Sequence, residues 1–202
     1  MTENVMAIGF SFIGFIVAAS LLVRFKLNKY IDRFQNIEDG KRITGKEFVD
    51  KVLDREGIDV GLKITRNVQS WKYIPGADVI KVPKLEEGSL LTLGVAAHEL
   101  GHVDQVRKDS LLVTLVVFFE KSGVFLSCLF PVLAVFGFIL YPPLLMVSLV
   151  VYSLIVLILL IKIPAEVDAT RKGLNYLKSY AELTEDELVQ LKKLLWSAIL
   201  TR

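Results

Sequence analysis

Long uncharged apolar runs are the dominant pattern in this sequence. The first covers residues 5–23, which is close to the ~20 residues that a helix needs to cross a hydrocarbon core. A second apolar zone extends from Leu111 to Ile161 and is interrupted by two consecutive prolines, Pro142 and Pro143. Prolines break helical hydrogen bonding, so this zone predicts a hairpin of two spans, at about 123–140 and 144–161.

The apolar stretch 111–119 is harder to place. It is too short to cross a membrane alone, and Glu120 and Lys121 behind it would be costly at mid-bilayer. We interpret it as the membrane-dipping end of the preceding helix. The prediction is therefore three spans, and whether 111–119 or the C-terminus adds another membrane helix stays open.

Basic residues indicate the orientation of these spans. A signal peptide is disfavoured for 5–23 because the charges follow the apolar run. By the positive-inside rule, the N-terminus is predicted outside and both ends of the hairpin in the cytoplasm. The basic residues that decide this are Arg24, Lys26, Lys29 and Arg33 after the first run, and Arg107, Lys108, Lys121, Lys162, Arg171 and Lys172 around the hairpin.

The polar segment 24–110 has its own pattern of elements. Thr44 and Glu47 form a capping-box sequence that predicts an amphipathic helix over about 44–56, ending at Gly57. The β-branched runs 60–66 and 77–82 predict two short strands. A helical stretch follows from Ser89.

The C-terminal segment 163–202 is predicted to be helical. Residues 164–180 look helical, and a second capping box at Thr184 and Glu187 opens a final amphipathic helix. The fold class is thus a mainly α membrane protein with a small α+β, zincin-like cytoplasmic portion. Its segments (1–23, 24–110, 111–162 and 163–202) are expected to form one integrated domain.

Composition supports a membrane protein. Hydrophobic residues make up 53% of the 202 residues and the mean hydropathy is +0.51, which is more apolar than an ordinary soluble domain. The net charge of +2 argues against nucleic acid as a partner. The single cysteine, Cys128, excludes a disulfide within the chain.

One pentapeptide carries recognisable chemistry, His98-Glu99-Leu100-Gly101-His102. On a helix the two histidines share a face, where their imidazoles can bind one Zn²⁺ ion. The adjacent carboxylate can accept a proton from a water that zinc activates. Gly101 keeps the helix slim where another element or a substrate comes close. These are the only two histidines in the chain, so we predict a metal site with Glu99 as catalytic base.

A catalytic zinc needs a third protein ligand, and here a carboxylate has to supply it. Asp104 and Asp109 lie near the motif, but a second helix is the more natural source. Glu166 and Asp168 lie just after the hairpin. The two spans of the hairpin would return them to the membrane side that holds His98.

The motif and its surroundings resemble the neutral zinc metallopeptidases of the YugP type. The resemblance rests on the segments 93–102 and 164–169, together with Lys29-Tyr30, Thr44-Gly45, Ile58 and Gln105. It implies a membrane-bound peptidase with one zinc per chain and Glu166 as third ligand. More distantly, the layout looks like the HtpX and CAAX-type gluzincins, in which an Asp follows the Glu ligand by three residues. Position 169 is Ala here, so a supporting role for Asp168 stays open.

The resulting expectation is a zinc metalloendopeptidase at the cytoplasmic membrane surface, acting on a peptide or membrane protein. Strand 77–82 could bind substrate by edge pairing, and Tyr73, Tyr176 and Arg171 are candidates for polarising the substrate carbonyl. A non-catalytic zinc-binding scaffold or adaptor is the alternative. A transporter ranks behind both, because the predicted spans contain no ionisable residue.

Overall fold

The computed structural model describes residues 43–65, 71–83, 89–108 and 110–199, together with Leu22, Phe25 and Lys29. The predicted first span, 5–23, and the predicted orientation of the N-terminus lie outside this part of the chain except for Leu22. The described elements, in chain order, are α1 (Gly45–Glu56), β1 (Gly61–Thr65), β2 (Lys72–Ile74), a 3₁₀ turn (Pro75–Ala77), β3 (Val79–Pro83), α2 (Leu90–Lys108), α3 (Ser110–Ile139), α4 (Pro143–Tyr180) and α5 (Glu185–Ile199).

Helices α3 and α4 form the predicted hairpin, with the turn at Pro142 and Pro143. Residues Lys121–Ile139 and helix α4 are long and apolar enough to cross a membrane. Most of their large apolar side chains are exposed, among them Phe125, Phe136 and Leu160. Such exposure suits contact with lipid, because in water it would leave a large apolar surface uncovered.

One prediction about a helix boundary is wrong. Residues 111–119 belong to α3 and continue directly into the first span of the hairpin. The motif helix α2 ends before them, at Lys108. Residues 164–180 are helical as predicted, and they belong to α4, which continues through Pro164. Proline removes one backbone hydrogen bond, and a long helix that packs on α2 beyond this point can continue without it.

The capping box predicted at the start of α1 is confirmed. The Thr44 backbone N–H donates to Glu47 Oε2 at 2.8 Å, and the Glu47 N–H donates to Thr44 Oγ1 at 3.2 Å. Gly57 ends the helix with a φ of 62°, a left-handed conformation that glycine adopts without strain. The same reciprocal pair forms between Thr184 and Glu187 at the start of α5.

The three described strands form a sheet in the order β1-β3-β2. Strand β3 pairs in parallel with β1 and antiparallel with β2, so the predicted strands 60–66 and 77–82 are confirmed as β1 and β3. Strand β2 was not predicted, because three residues are too few to show a period. The prediction that 77–82 pairs with substrate is wrong, since β3 has a partner strand on each side.

Helix α2 lies at the centre of the extramembrane core. Its residues Leu93, Ala97 and Leu100 are fully or almost fully buried against α1, α4 and α5. From α5, Leu191 packs so closely on Gly94 that a Cβ there would lie 2.8 Å from Leu191 Cδ2. One face of α2 thus joins the hydrophobic core, while the histidines face α4.

A candidate zinc site between two helices

Small residues let α2 and α4 cross at very short range. A Cβ at Gly101 would overlap the carbonyl group of Ala169, and a Cβ at Gly173 would lie 2.5 Å from the Ala97 carbonyl oxygen. The prediction that Gly101 permits close approach is confirmed, and the partner is the backbone of α4. This crossing brings Glu166 next to the motif.

Three ligand atoms converge at the crossing. His98 Nε2 lies 3.1 Å from Glu166 Oε2, and His102 Nε2 lies 3.2 Å from His98 Nε2 and 3.7 Å from Glu166 Oε2. Ligands at zinc distances in a tetrahedron are roughly 3.3 Å apart, a value that these separations bracket. The group of His98, His102 and Glu166 therefore fits a zinc ion.

Each histidine is held through its other ring nitrogen. His98 Nδ1 lies 3.1 Å from the hydroxyl oxygen of Thr170, a fully buried residue one turn beyond Glu166 on α4. His102 Nδ1 lies 3.0 Å from Gln105 Oε1, one turn further along its own helix. If both Nδ1 atoms carry the proton, both Nε2 lone pairs face the common centre. Two facing lone pairs repel each other unless a cation lies between them.

The Glu99 side chain is 3% exposed and lies beside strand β2. Its Oε2 accepts a hydrogen bond of 2.7 Å from the backbone N–H of Tyr73. A carboxylate next to the two histidines, positioned by the main chain of a neighbouring strand, is where a proton acceptor is needed for attack by water.

Negative charge surrounds His102. Burial alone would lower the pKa of His102, but the hydrogen bond to Glu166 and the negative charges of Glu99 and Glu166 outweigh it and raise that pKa. The same two carboxylates would favour a divalent cation at the ligand group.

The structure positions the other predicted residues around the site. Asp168 lies outside the ligand group, where its Oδ2 accepts from Gln105 Nε2 at 2.9 Å and from Lys172 at 3.0 Å. Asp104 pairs with Lys108 at 2.9 Å and with Lys172 at 3.3 Å, so it faces away from the histidines. Asp109 lies outside the described residues.

The two tyrosines proposed to polarise a carbonyl have other partners. The Tyr73 hydroxyl donates to Asp78 Oδ1 at 2.7 Å. Burial is the larger cause and this bond the second cause of the raised pKa of Tyr73. Burial and the nearby Asp104 raise the pKa of Tyr176 to about 12. For Arg171, which is exposed on α4, the described contacts give no such role.

Sequence reasoning missed Thr170 and the role of Gln105. The signal for both was spacing. Gln105 is three residues from His102, and Thr170 is four residues from Glu166, so each pair shares a helix face. The Tyr73 backbone contact could not be found, because any residue in β2 would supply the N–H.

Comparison with known families decides the affiliation. The family model described as "Putative neutral zinc metallopeptidase" matches residues 9–202, nearly the whole chain. The chain belongs to this family. No curated protein and no solved structure gives a significant match. The resemblance seen in the sequence is thereby confirmed at the level of the family.

Proposed function

We propose that this protein is a membrane-embedded zinc metalloendopeptidase that hydrolyses peptide bonds at the cytoplasmic membrane surface. The observation that carries the proposal is the convergence of His98, His102 and Glu166 beside the buried carboxylate of Glu99. Family membership and the apolar hairpin support it.

Bound zinc and Glu99 have separate roles in the proposed reaction. Bound zinc would act as a Lewis acid and lower the pKa of a water to about 7. Glu99 accepts the proton of that water as its oxygen adds to the peptide carbonyl carbon. It then returns the proton to the nitrogen as the C–N bond breaks, giving a carboxylic acid and an amine. The hydrogen bond from the Tyr73 N–H holds the Glu99 carboxylate beside the two histidines.

Strand β2 is the natural place for a substrate backbone. It is an edge strand among those described, and its Tyr73 N–H faces Glu99 and not β3. An extended peptide pairing along β2 would run beside the catalytic carboxylate. Edge pairing thus remains the proposed binding mode, with β2 in place of β3.

The site lies close to the bilayer. The apolar run in α4 ends at Ile161, and Glu166 follows five residues later, which is ~7.5 Å along a helix. Basic residues Lys162 and Lys172 flank this end of the hairpin, and they favour its cytoplasmic location. Substrates would present a peptide bond near the membrane surface, as membrane proteins and membrane-associated peptides do.

Hydrolysis of fluorogenic casein and of a quenched peptide library by detergent-purified protein tests the proposal. Glu99→Gln should lower the rate by ~10²–10⁴-fold while zinc stays bound. Glu182→Gln changes an exposed glutamate and should leave both unchanged. Equal rates in wild type and Glu99→Gln would contradict the proposed role. Bound zinc without hydrolysis of any probe would favour the scaffold alternative.

A further inference from the structure

Gln105 connects the motif helix to α4 in a way that metal binding alone would not require. Its Nε2 donates to the Ala165 carbonyl oxygen at 2.6 Å and to Asp168 Oδ2 at 2.9 Å. Its Oε1 lies 3.0 Å from His102 Nδ1. The side chain is 4% exposed, so these contacts are made within the protein.

The orientation of this amide follows from its partners. A backbone carbonyl only accepts hydrogen bonds, so the amide nitrogen has to face Ala165. A carboxylate is likewise an acceptor, and Asp168 uses the second hydrogen of the same nitrogen. Both hydrogens are then engaged, and Oε1 is left to face His102 as an acceptor.

The orientation of Gln105 in turn fixes the histidine. Because Oε1 accepts, His102 Nδ1 has to carry the proton, and His102 Nε2 is left with a lone pair directed at His98 and Glu166. We infer that Gln105 is a positioning residue that sets the tautomer of His102 and ties it to the helix turn that carries Glu166. This inference rests on the proposed function, since it concerns how the zinc ligands are arranged.

Lys172 and Asp168 complete the connection. Asp168 Oδ2 accepts from both Gln105 and Lys172, so the carboxylate is held on the side where the Gln105 amide nitrogen lies. This gives Asp168 a supporting role through Gln105, without contact with either histidine in the described hydrogen bonds.

Zinc affinity, measured by competition with a chelator on metal-free detergent-purified protein, tests the inference. Gln105→Met keeps the length of the side chain and removes the acceptor. It should weaken zinc binding by ~10–100-fold, the usual cost of losing a partner of a metal-binding histidine. Gln105→Asn keeps an amide but shortens the side chain, and should also weaken binding.

Two further variants separate positioning from helix packing. Asp104→Asn removes charge from another link between α2 and α4 without touching a histidine, and its zinc affinity should equal that of the wild type. The double variant Gln105→Glu with Asp168→Asn restores an acceptor for His102 and a donor at 168. The double variant and Gln105→Met both lack the bond to Ala165. A higher zinc affinity in the double variant would therefore come from the restored acceptor for His102.

The outcomes distinguish this inference from the proposed function. Wild-type affinity in Gln105→Met would overturn the inference alone. Equal losses in Gln105→Met, Asp104→Asn and the double variant would overturn it too, because packing would then explain them. A wild type that binds no zinc would overturn the proposed function, and the inference with it.

Discussion

Gly101 and Ala169 bring the backbones of α2 and α4 into direct contact. A Cβ at position 101 would lie less than 3.0 Å from both the carbonyl carbon and the carbonyl oxygen of Ala169. A second such contact joins Gly173 to Ala97, about one turn away on each helix. These contacts set the distance over which Glu166 reaches the histidines.

Gly101→Ala and Gly173→Ala should each separate the helices and lower the free energy of unfolding by about 1–3 kcal/mol or more, because backbone atoms cannot yield as a flexible side chain can. The zinc content of both variants should also fall. Gly76→Ala is the matched control, since nothing lies within 4 Å of its added Cβ. It should change stability by less than about 0.5 kcal/mol. Thermal unfolding and metal analysis check this, and wild-type stability in Gly101→Ala would contradict the close crossing.

The Tyr73 hydroxyl is predicted to stabilise a turn, not a substrate carbonyl. It donates to Asp78, whose φ of 47° is in the left-handed region. Tyr73→Phe should cost about 1 kcal/mol of stability and leave peptide hydrolysis intact. Asp78→Asn tolerates the left-handed conformation and, combined with Tyr73→Phe, completes a double-mutant cycle. Loss of hydrolysis in Tyr73→Phe at unchanged stability would show that the hydroxyl acts on substrate.

Lys172 gives the structure a defined pH dependence. Burial would lower its pKa, but bonds to Asp168 and Asp104 outweigh this and raise it. A raised pKa in the folded state means that the stabilisation is complete below about pH 10.4 and is lost as pH rises through the folded value. The stability difference between wild type and Lys172→Met should be constant from pH 7 to 9 and shrink only above about pH 10.4. Lys178→Met, at an exposed site on α4, is the control, and its stability should equal that of the wild type.

Cys128 allows the proposed membrane span to be tested by thiol labelling, without an added cysteine. It lies within Lys121–Ile139, and its side chain is exposed on the protein surface. If that stretch spans the bilayer, hydrocarbon surrounds the thiol and keeps a polar reagent away from it. A membrane-impermeant maleimide should not label it in native membranes, and should label it after denaturation in detergent. Ser179→Cys in a Cys128→Ser background places the thiol on the polar end of α4 and should react in opened vesicles. Labelling of Cys128 in intact membranes would contradict the span.

Local sequence signals predicted much of this architecture. The capping boxes at Thr44 and Thr184 specify their helices because the hydrogen bonds lie within four residues. The proline pair specified the hairpin turn for the same reason. The brief strand β2 and the continuation of α4 through Pro164 depend on tertiary contacts, and no local pattern encodes those.

The candidate site, like the fold, was predictable from the sequence only in part. Spacing predicted that His98 and His102 share a face, and hairpin topology brought Glu166 within reach. The order of the strands decided which edge lies beside Glu99, and residue types in 77–82 do not reveal that order. The bond from the Tyr73 backbone to Glu99 depends on it as well.

The central claim is that His98, His102 and Glu166 together hold one zinc ion. Metal content by mass spectrometry of detergent-purified protein tests it most directly, comparing wild type with His98→Ala, Glu166→Ala and Glu182→Ala. Glu182 is the control, because it is an exposed acid just beyond the end of α4 and outside the ligand group. We expect one zinc per chain in wild type and in Glu182→Ala, and none in His98→Ala or Glu166→Ala. Folded wild type without metal, or full zinc content in Glu166→Ala, would contradict it.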